Sequence, residues 1–402
     1  MIRTFGRVTT IVLITWTSTG WWLAGARAAE NPYPVPEGGV PELVALIQKV
    51  SQVQPESPQD DIRHRRFARP AIRKAAERIL ELEQDATSEA YQAARFLVMV
   101  DRIRSIAQGH PDPQQTMTDA YAYIGELVKA GQHRVAADLA LLLGRTLVQV
   151  GEWQDAVDMH KSVSPLFADT KSPAIVSQLR SISESVLEIS AQMEEIGPAA
   201  EKPVMQPTGR LVPLDLSGAW NRKMVDFSGS GDFEGNGLAE LPEGEQVLRG
   251  VTFRIGEGVV QLGSTNLPDE SGEVADIEVQ RKISRLYALH ATQWNTDDGA
   301  LVGQYRLTYQ DGETASLPIV YGADIRDWWI WDIGMPLTRG VVAWTGANLH
   351  TERYGVALRL CLSVWENPHP DKQVAALDFV SSMDTEAAPF CVALTVEELE
   401  SP

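Results

Sequence analysis

The chain has 402 residues, of which 44% are apolar, and it carries a formal net charge of −19 at pH 7. This length accommodates two domains of ordinary size, and the apolar content is sufficient for a buried core in each. The strong acidity, with no basic stripe to offset it, argues against nucleic acid and anionic lipid as partners.

The first 28 residues have the anatomy of a secretory signal peptide. Arg3 and Arg7 form a basic start, residues 11–22 are mostly apolar, and the Ala-Arg-Ala sequence at 26–28 is a small-residue cleavage site. The apolar stretch contains several hydroxyl residues and falls short of the about 20 residues that a transmembrane helix requires. We therefore expect cleavage, export to the periplasm or the extracellular space, and a mature chain that does not span the membrane.

Residues 37–196 are predicted to form an α-helical domain, because their apolar residues recur at helical spacing. Gly131 and Gly151 indicate helix ends. The turns at these glycines resemble those of tetratricopeptide-like arrays, but they lie 20 residues apart, which does not fit the period of about 34 residues. Helical hairpins are therefore expected rather than a regular repeat. Residues 40–106 also resemble helical leaders of exported bacterial proteins that precede a thioredoxin-like domain, although no thioredoxin motif follows here.

Residues 197–210 are rich in proline and glycine and predict a linker, beyond which the pattern changes to short strands. Many short strands without helical crossovers predict an antiparallel β-sandwich or jelly roll over residues 211–398. The predicted fold class is thus α+β multidomain, with an N-terminal all-α helical-hairpin domain before this sandwich. The predicted strands are residues 246–255, 259–262, 285–290, 301–310, 314–321, 340–344, 356–365, 374–380 and 390–396, with a hairpin turn at 310–313.

Both cysteines, Cys361 and Cys391, lie in predicted strands. They can form a disulfide if their strands are neighbours with Cα atoms within about 7 Å. The alternative is two buried thiols that act as small apolar residues. The absence of a Cys-x-x-Cys sequence argues against thiol redox chemistry and against a zinc ribbon.

Seven phrases stand out between residues 212 and 397: residues 235–244 (GNGLAELPEG), 258–263 (GVVQLG), 289–292 (LHAT), 319–329 (IVYGADIRDWW), 342–346 (VAWTG), 359–370 (RLCLSVWENPHP) and 388–397 (APFCVALTVE). In their order and spacing, residues 212–397 resemble an uncharacterised β-sandwich module of bacterial exported proteins. More distantly, this region is similar to the galactose-binding type of jelly roll that includes carbohydrate-binding modules. The resemblance implies a sandwich fold; it is an analogy of fold that establishes no function, and it assigns no catalytic residues.

Six tryptophans lie in the last third of the chain, and three of them, Trp328, Trp329 and Trp331, follow one another closely. Side chains alternate along an extended segment, so Trp329 and Trp331 should share one face and Trp328 the other. If this segment is a binding site, the indoles would stack on the ring of a sugar. Asp324, Arg326 and Asp327 would then bind the hydroxyls of that sugar. The structural alternative pairs Arg326 with one of the two aspartates and packs the indoles into the end of the sandwich.

Two other parts of the sequence are candidate sites. Residues 232–243 have oxygen ligands at the spacing of a calcium loop, but no helix signal precedes them and Pro242 interrupts the pattern. His290 lies in a predicted strand, where a lone histidine is more often a structural residue than a base or a ligand. No nucleophile, metalloprotease or phosphate-loop motif occurs, so no catalytic residue and no metal or other cofactor is predicted.

The sequence predicts an exported, non-enzymatic binding protein whose sandwich recognises a glycan or another cell-envelope component. The helical domain would be a scaffold or a surface for a protein partner. One alternative is a structural or assembly protein that binds only protein. The last alternative is a polysaccharide hydrolase, for which no carboxylate pair stands out in so acidic a chain.

Overall fold

The computed structural model describes residues 31–109, 112–168, 206–227, 234–331 and 335–399, together with a few single positions between 172 and 184. The predicted signal peptide and most of the predicted linker lie outside these residues. Among the helices that are described, none is long and apolar enough to cross a membrane.

Six helices form the N-terminal part of the described chain, and each packs against its neighbours in sequence. Their ends follow local signals. Side chains of Ser57, Ser88 and Asp112 accept hydrogen bonds from backbone N–H groups in the first turns of three helices. Gly131 and Gly151 adopt positive φ just after two helices, as expected for helix stops. The helices are α1 (Val40–Ser51), α2 (Pro58–Leu82), α3 (Glu89–Arg104), α4 (Pro113–Lys129), α5 (His133–Gln149) and α6 (Trp153–Val163).

Twelve strands follow in the described chain, and every pair of them that is hydrogen-bonded runs antiparallel. This confirms the predicted fold class of N-terminal helices followed by an antiparallel sheet structure. The strands are β1 (Arg210–Pro213), β2 (Arg222–Lys223), β3 (Gly244–Leu248), β4 (Val251–Ile255), β5 (Gly258–Gln261), β6 (Glu273–Gln293), β7 (Leu301–Tyr309), β8 (Thr314–Val320), β9 (Val341–Gly346), β10 (Leu358–Glu366), β11 (Gln373–Ser381) and β12 (Ala388–Glu398).

Strand β6 connects the two halves of the sandwich. Its first half pairs with β11, which continues to β7 and β8, and its second half lies between β12 and β10. The larger core contains Leu286 and Leu394 from one half and Tyr305 and Leu377 from the other. A second core, which includes Tyr287 and several indoles, covers the opposite face of β12, β6 and β10. The central strands are therefore buried on both faces.

Three local predictions differ from the structure. The predicted strand 246–255 is a hairpin of β3 and β4, because Arg249 and Gly250 both adopt positive φ and turn the chain. Strand β6 is 21 residues long, far beyond the predicted 285–290, because its polar first half is stabilised by pairing with β11. A short helix, α7 (Leu349–Tyr354), lies in a region for which no helix is predicted.

The helical domain and the sandwich are in direct contact. Val342 of β9 belongs to the core of the helices that α3 to α6 form. The Arg249 backbone N–H donates to the carbonyl of Gln108 at 2.5 Å, and its Nε donates to the carbonyl of Val342 at 3.1 Å. Arg249 also pairs with Glu152 of the helical domain. The sandwich therefore contributes both an apolar side chain and a partly buried arginine to the contact with the helices.

Cys361 and Cys391 are both buried and are not bonded to each other. Each lies opposite His290, one on either side of β6. Two strand spacings of about 4.8 Å place their Cα atoms beyond the reach of about 7 Å that a disulfide permits. Of the two alternatives, the structure supports buried thiols.

We therefore predict that the native protein, kept without reductant, does not react with an aromatic disulfide reagent. Burial protects both side chains and raises the pKa of the Cys391 thiol to about 12. After unfolding in guanidinium, two thiols per chain should react. Absorbance of the released thiolate measures both numbers, and an unfolded chain without reactive thiols would show that a disulfide exists.

Candidate functional site

The segment after β8 is held in an extended form by neighbouring strands. Its backbone forms isolated bridges from Asp327 to Thr292 and from Trp329 to Leu358. The Trp328 N–H donates to the carbonyl of Thr292 at 2.9 Å, and the Trp328 carbonyl accepts from the N–H of Arg359 at 2.8 Å. The chain bends at Trp328, and the Trp331 N–H donates to the carbonyl of Trp329 at 3.1 Å, so residues 328–331 depart from a regular strand.

The three indoles differ in exposure and in their ring contacts. Trp328 is only 3% exposed and stacks on Phe227, with ring centroids 4.7 Å apart. Trp329 belongs to the same core, with its ring centroid 6.4 Å from that of Trp328, and it stacks on Trp331 at 5.2 Å. Trp329 is 8% exposed and Trp331 is 55% exposed. Trp328 is thus part of the second sandwich core, whereas Trp331 presents most of its ring to solvent.

Tyr354, the last residue of α7, completes an exposed aromatic surface. Its ring lies 5.6 Å from that of Trp331 and 5.8 Å from that of Trp329, and it is 60% exposed. We call Trp329, Trp331 and Tyr354 the aromatic platform. Tyr354 is not among the site residues predicted from the sequence. The sequence does carry a signal for its helix, because Asn348 and Thr351 form a capping box and Gly355 ends the helix at positive φ.

A shallow cavity of about 120 Å³ adjoins the platform. It combines two indoles with arginine, aspartate, asparagine, threonine and tyrosine side chains, which is the mixture of apolar and polar groups found in small-molecule sites. Its volume is well below the about 300–1,000 Å³ of enclosed ligand pockets, so it suits an edge or a single ring of a larger molecule. The lining residues are Asn295, Thr296, Asp298, Tyr321, Arg326, Asp327, Trp329, Trp331 and Arg359.

Arg326 forms an ion pair with Asp298, which lies on the loop between β6 and β7. The guanidinium binds both carboxylate oxygens, at 2.9 and 2.8 Å, and is itself almost fully buried. The Asp298 side chain remains 56% exposed. A bidentate pair fixes the carboxylate in one orientation, so Asp298 faces the cavity mouth as an oriented hydrogen-bond acceptor.

Asp327 and Arg359 maintain the backbone beneath the platform. Asp327 accepts the N–H of Trp329 at 3.2 Å, and its own N–H donates to the hydroxyl of Tyr321 at 3.2 Å. Arg359 Nε donates to the carbonyl of Asp327 at 2.8 Å. Both side chains line the cavity while fixing the direction of the indoles.

Asp324 lies outside the cavity lining. It is 1% exposed, pairs with Arg339, and accepts the N–H of Val320 at 2.8 Å. Its carbonyl accepts from the hydroxyl of Ser363 at 2.6 Å. Asp324 therefore fixes the turn between β8 and the extended segment. Of the six predicted site residues, Trp329, Trp331, Arg326 and Asp327 come together at the cavity, whereas Trp328 and Asp324 do not.

Trp294 is a further exposed indole next to the cavity. It is 40% exposed and adopts a φ of 62°, which is uncommon for a bulky residue. The Thr292 hydroxyl donates to its carbonyl at 2.9 Å. Asn295 and Thr296, which follow it, line the cavity, so this conformation sets the course of the loop that forms one side of the site.

The other two candidates take no part in this site. His290 is fully buried, and burial lowers its pKa to about 3. The proposed calcium loop begins at Asp232, outside the described residues. Its described part contacts α7, with His350 Nε2 2.9 Å from the carbonyl of Glu234. In the described part of the chain, no group of three or more histidine, cysteine, aspartate or glutamate side chains is placed to hold a metal ion.

Comparison with known proteins gives neither a matching family model nor a significant match among curated proteins.

Proposed function

We propose that this chain is an exported, non-enzymatic binding protein that holds a glycan of the cell envelope on the aromatic platform. The observation that carries the proposal is the position of Trp331, which stacks on Trp329 at the mouth of a polar cavity while 55% of its surface is exposed. Export itself rests on the signal-like first 28 residues.

The platform has the chemistry that a sugar ring requires. An indole face attracts the C–H groups on the apolar side of a pyranose, because its π-system carries partial negative charge. Asp298, Asn295 and Thr296 offer hydrogen-bond acceptors and donors at the edge of the platform. A sugar placed on Trp331 would thus meet apolar contact below and polar contact at its rim. Neighbouring exposed aromatic rings are also a form of surface that folded proteins keep for binding.

The carboxylates at the cavity support binding rather than hydrolysis. A glycosidase needs one carboxylic acid to protonate the leaving group and a second carboxylate as base or nucleophile. Both Asp298 oxygens bind Arg326, and Asp327 is mostly buried and accepts the N–H of Trp329. These contacts suit acceptor roles, so hydrolysis ranks below binding.

The first test is an array of soluble bacterial envelope polysaccharides and oligosaccharides, probed with the full chain. We expect selective binding that Trp331→Ala weakens about 10- to 100-fold, since the loss of an interfacial indole costs about 1.4–3 kcal/mol. Trp331→Tyr should retain much of the affinity because it keeps an aromatic face. Titration of the selected glycan by calorimetry measures the three affinities.

Leu82→Ala is the matched control, because Leu82 is an exposed apolar residue at the end of α2. Its affinity should equal that of the natural chain. A chain that binds no glycan on the array would contradict the proposal, as would binding that is indifferent to Trp331→Ala. Capture of a protein partner through the platform, without glycan binding, would favour the protein-only alternative instead.

A further inference from the structure

Helix α7 carries the outer edge of the aromatic platform. Tyr354 is its last residue, and Glu352 lies two positions earlier. The helix has only six residues, so it is too short to be stable alone and depends on contacts with its surroundings. The position of Tyr354 against Trp331 is therefore set by whatever anchors α7.

Part of that anchoring comes from the sandwich. Asn348 Nδ2 donates to Asn236 Oδ1 at 2.9 Å and to the carbonyl of Gly237 at 3.2 Å. His350 is hydrogen-bonded to the carbonyl of Glu234. These contacts all lie at the first turn of α7, and none of them holds its last turn.

The helical domain contacts α7 at Glu352, in the middle of this short helix. Arg65 of α2 donates through its two terminal nitrogens to both carboxylate oxygens of Glu352, at 3.0 and 2.7 Å. Its Nε donates to Asp61 at 2.6 Å, one turn earlier on α2. The Arg65 side chain is 11% exposed, whereas that of Glu352 is 52% exposed. The guanidinium is thus fixed on α2 by Asp61, and Glu352 is the more exposed partner.

Arg65 also reaches the start of α7 through Glu240. One oxygen of Glu240 lies 3.6 Å from Arg65, and the other accepts the N–H of Ala347 at 3.0 Å, just before the Asn348 cap. The Arg65 guanidinium therefore contacts Glu240, which holds Ala347 just before α7, and Glu352 within the helix. Loss of Arg65 would increase the repulsion among Asp61, Glu240 and Glu352, which Arg104 also opposes.

We infer that the helical domain determines the geometry of the aromatic platform, and that Arg65 is the positioning residue that does so, acting through Glu352 on Tyr354. The importance of this contact for glycan binding rests on the proposed function, but the contact itself does not. The helical domain thereby becomes a part of the site rather than a separate scaffold, so that an event on α2 can change the platform from a distance.

The test observes the platform without any glycan, so that its failure is distinct from a failure of the proposed function. The full chain is labelled with 5-fluorotryptophan, and the fluorine resonance of Trp331 is assigned by its loss in Trp331→Phe. We expect Arg65→Ala to shift this resonance by more than its linewidth. Arg65→Lys should restore it only in part, because lysine keeps the charge but lacks the planar fork.

A mutant cycle separates positioning from a general loss of structure. In a Tyr354→Ala background, Arg65→Ala should no longer move the Trp331 resonance, because the ring through which it acts is gone. Arg73→Ala is the control, since Arg73 also lies on α2 but pairs only within the helices, with Glu77 and Asp101, among the ion pairs of the described residues; it should leave the resonance unchanged. If Arg65→Ala fails to fold, Glu352→Gln breaks the same contact at a half-exposed position. An unmoved resonance in a folded Arg65→Ala or Glu352→Gln chain would overturn the inference, as would an equal shift in the Tyr354→Ala background.

Discussion

Trp328→Ala is expected to lower the free energy of unfolding by about 3–5 kcal/mol, the range for replacing a large buried aromatic residue by alanine. Trp328 is 3% exposed and contacts Phe227 in a stacked arrangement and Phe390 edge-on, with a centroid distance of 5.9 Å to the latter. Its removal leaves a cavity between these rings that the surrounding strands cannot close, because β6 and β10 are fixed by pairing on both sides.

The matched comparison is Trp331→Ala, three positions along the same segment. Trp331 loses mainly its contact with Trp329 and Tyr354 at the surface, so we expect a cost of about 1 kcal/mol or less. Guanidinium denaturation, followed by circular dichroism, compares the two variants within one chain. Equal losses of stability would contradict the assignment of Trp328 to the core and Trp331 to the surface. Trp328→Phe is expected to lie between the natural chain and Trp328→Ala.

Acid is expected to destabilise the sandwich through His290. Burial lowers the pKa of this imidazole to about 3, whereas in the unfolded chain it is about 6.5. The unfolded state therefore binds a proton that the folded state does not, and stability falls as the pH drops below about 6.5 until it reaches about 3. Over that whole range the loss from this one group is about 4–5 kcal/mol.

His290→Gln, which keeps a polar side chain but cannot titrate, isolates this contribution. Between pH 6 and pH 4, the unfolding free energy of the natural chain should fall more steeply than that of the variant by about 1.4 kcal/mol per pH unit, which corresponds to one proton. Protonation of carboxylates affects both proteins, so only the difference in slope is informative. Burial also lowers the pKa values of His64 and His160, and these groups remain in both proteins. Identical slopes would show that His290 is not held neutral by burial.

Local sequence patterns predicted the elements that depend on local chemistry. Helical spacing of apolar residues and the stops at Gly131 and Gly151 correspond to α4, α5 and α6. The Gln310 to Glu313 turn lies where β7 meets β8. The elements that were missed depend on tertiary contacts instead. The first half of β6 is mostly polar, with the short alternation of Ile277 and Val279 between exposed residues as its one strand signal, and it is held extended by pairing with β11.

The residues of the candidate site also divide into those that local sequence predicts and those that only tertiary contacts bring together. Strand alternation predicted that Trp329 and Trp331 lie together, and their rings stack, but it did not predict that Trp329 shares a core with Trp328. Asp298 and Tyr354 could not be predicted from the sequence, since the loop after β6 and the end of α7 reach the indoles only in the folded chain. For the same reason the structural alternative, which paired Arg326 with Asp324 or Asp327, did not include Asp298, with which Arg326 forms an ion pair.

The most direct measurement of the central claim is a titration of the 5-fluorotryptophan-labelled chain with the envelope oligosaccharide that binds most strongly on the array. A glycan held on the aromatic platform should shift the Trp331 resonance in a saturable manner. The resonances of Trp344 and Trp365, which are buried in the sandwich cores, should stay in place. Saturable glycan binding that leaves the Trp331 resonance unmoved would contradict the account and place the binding site elsewhere on the molecule.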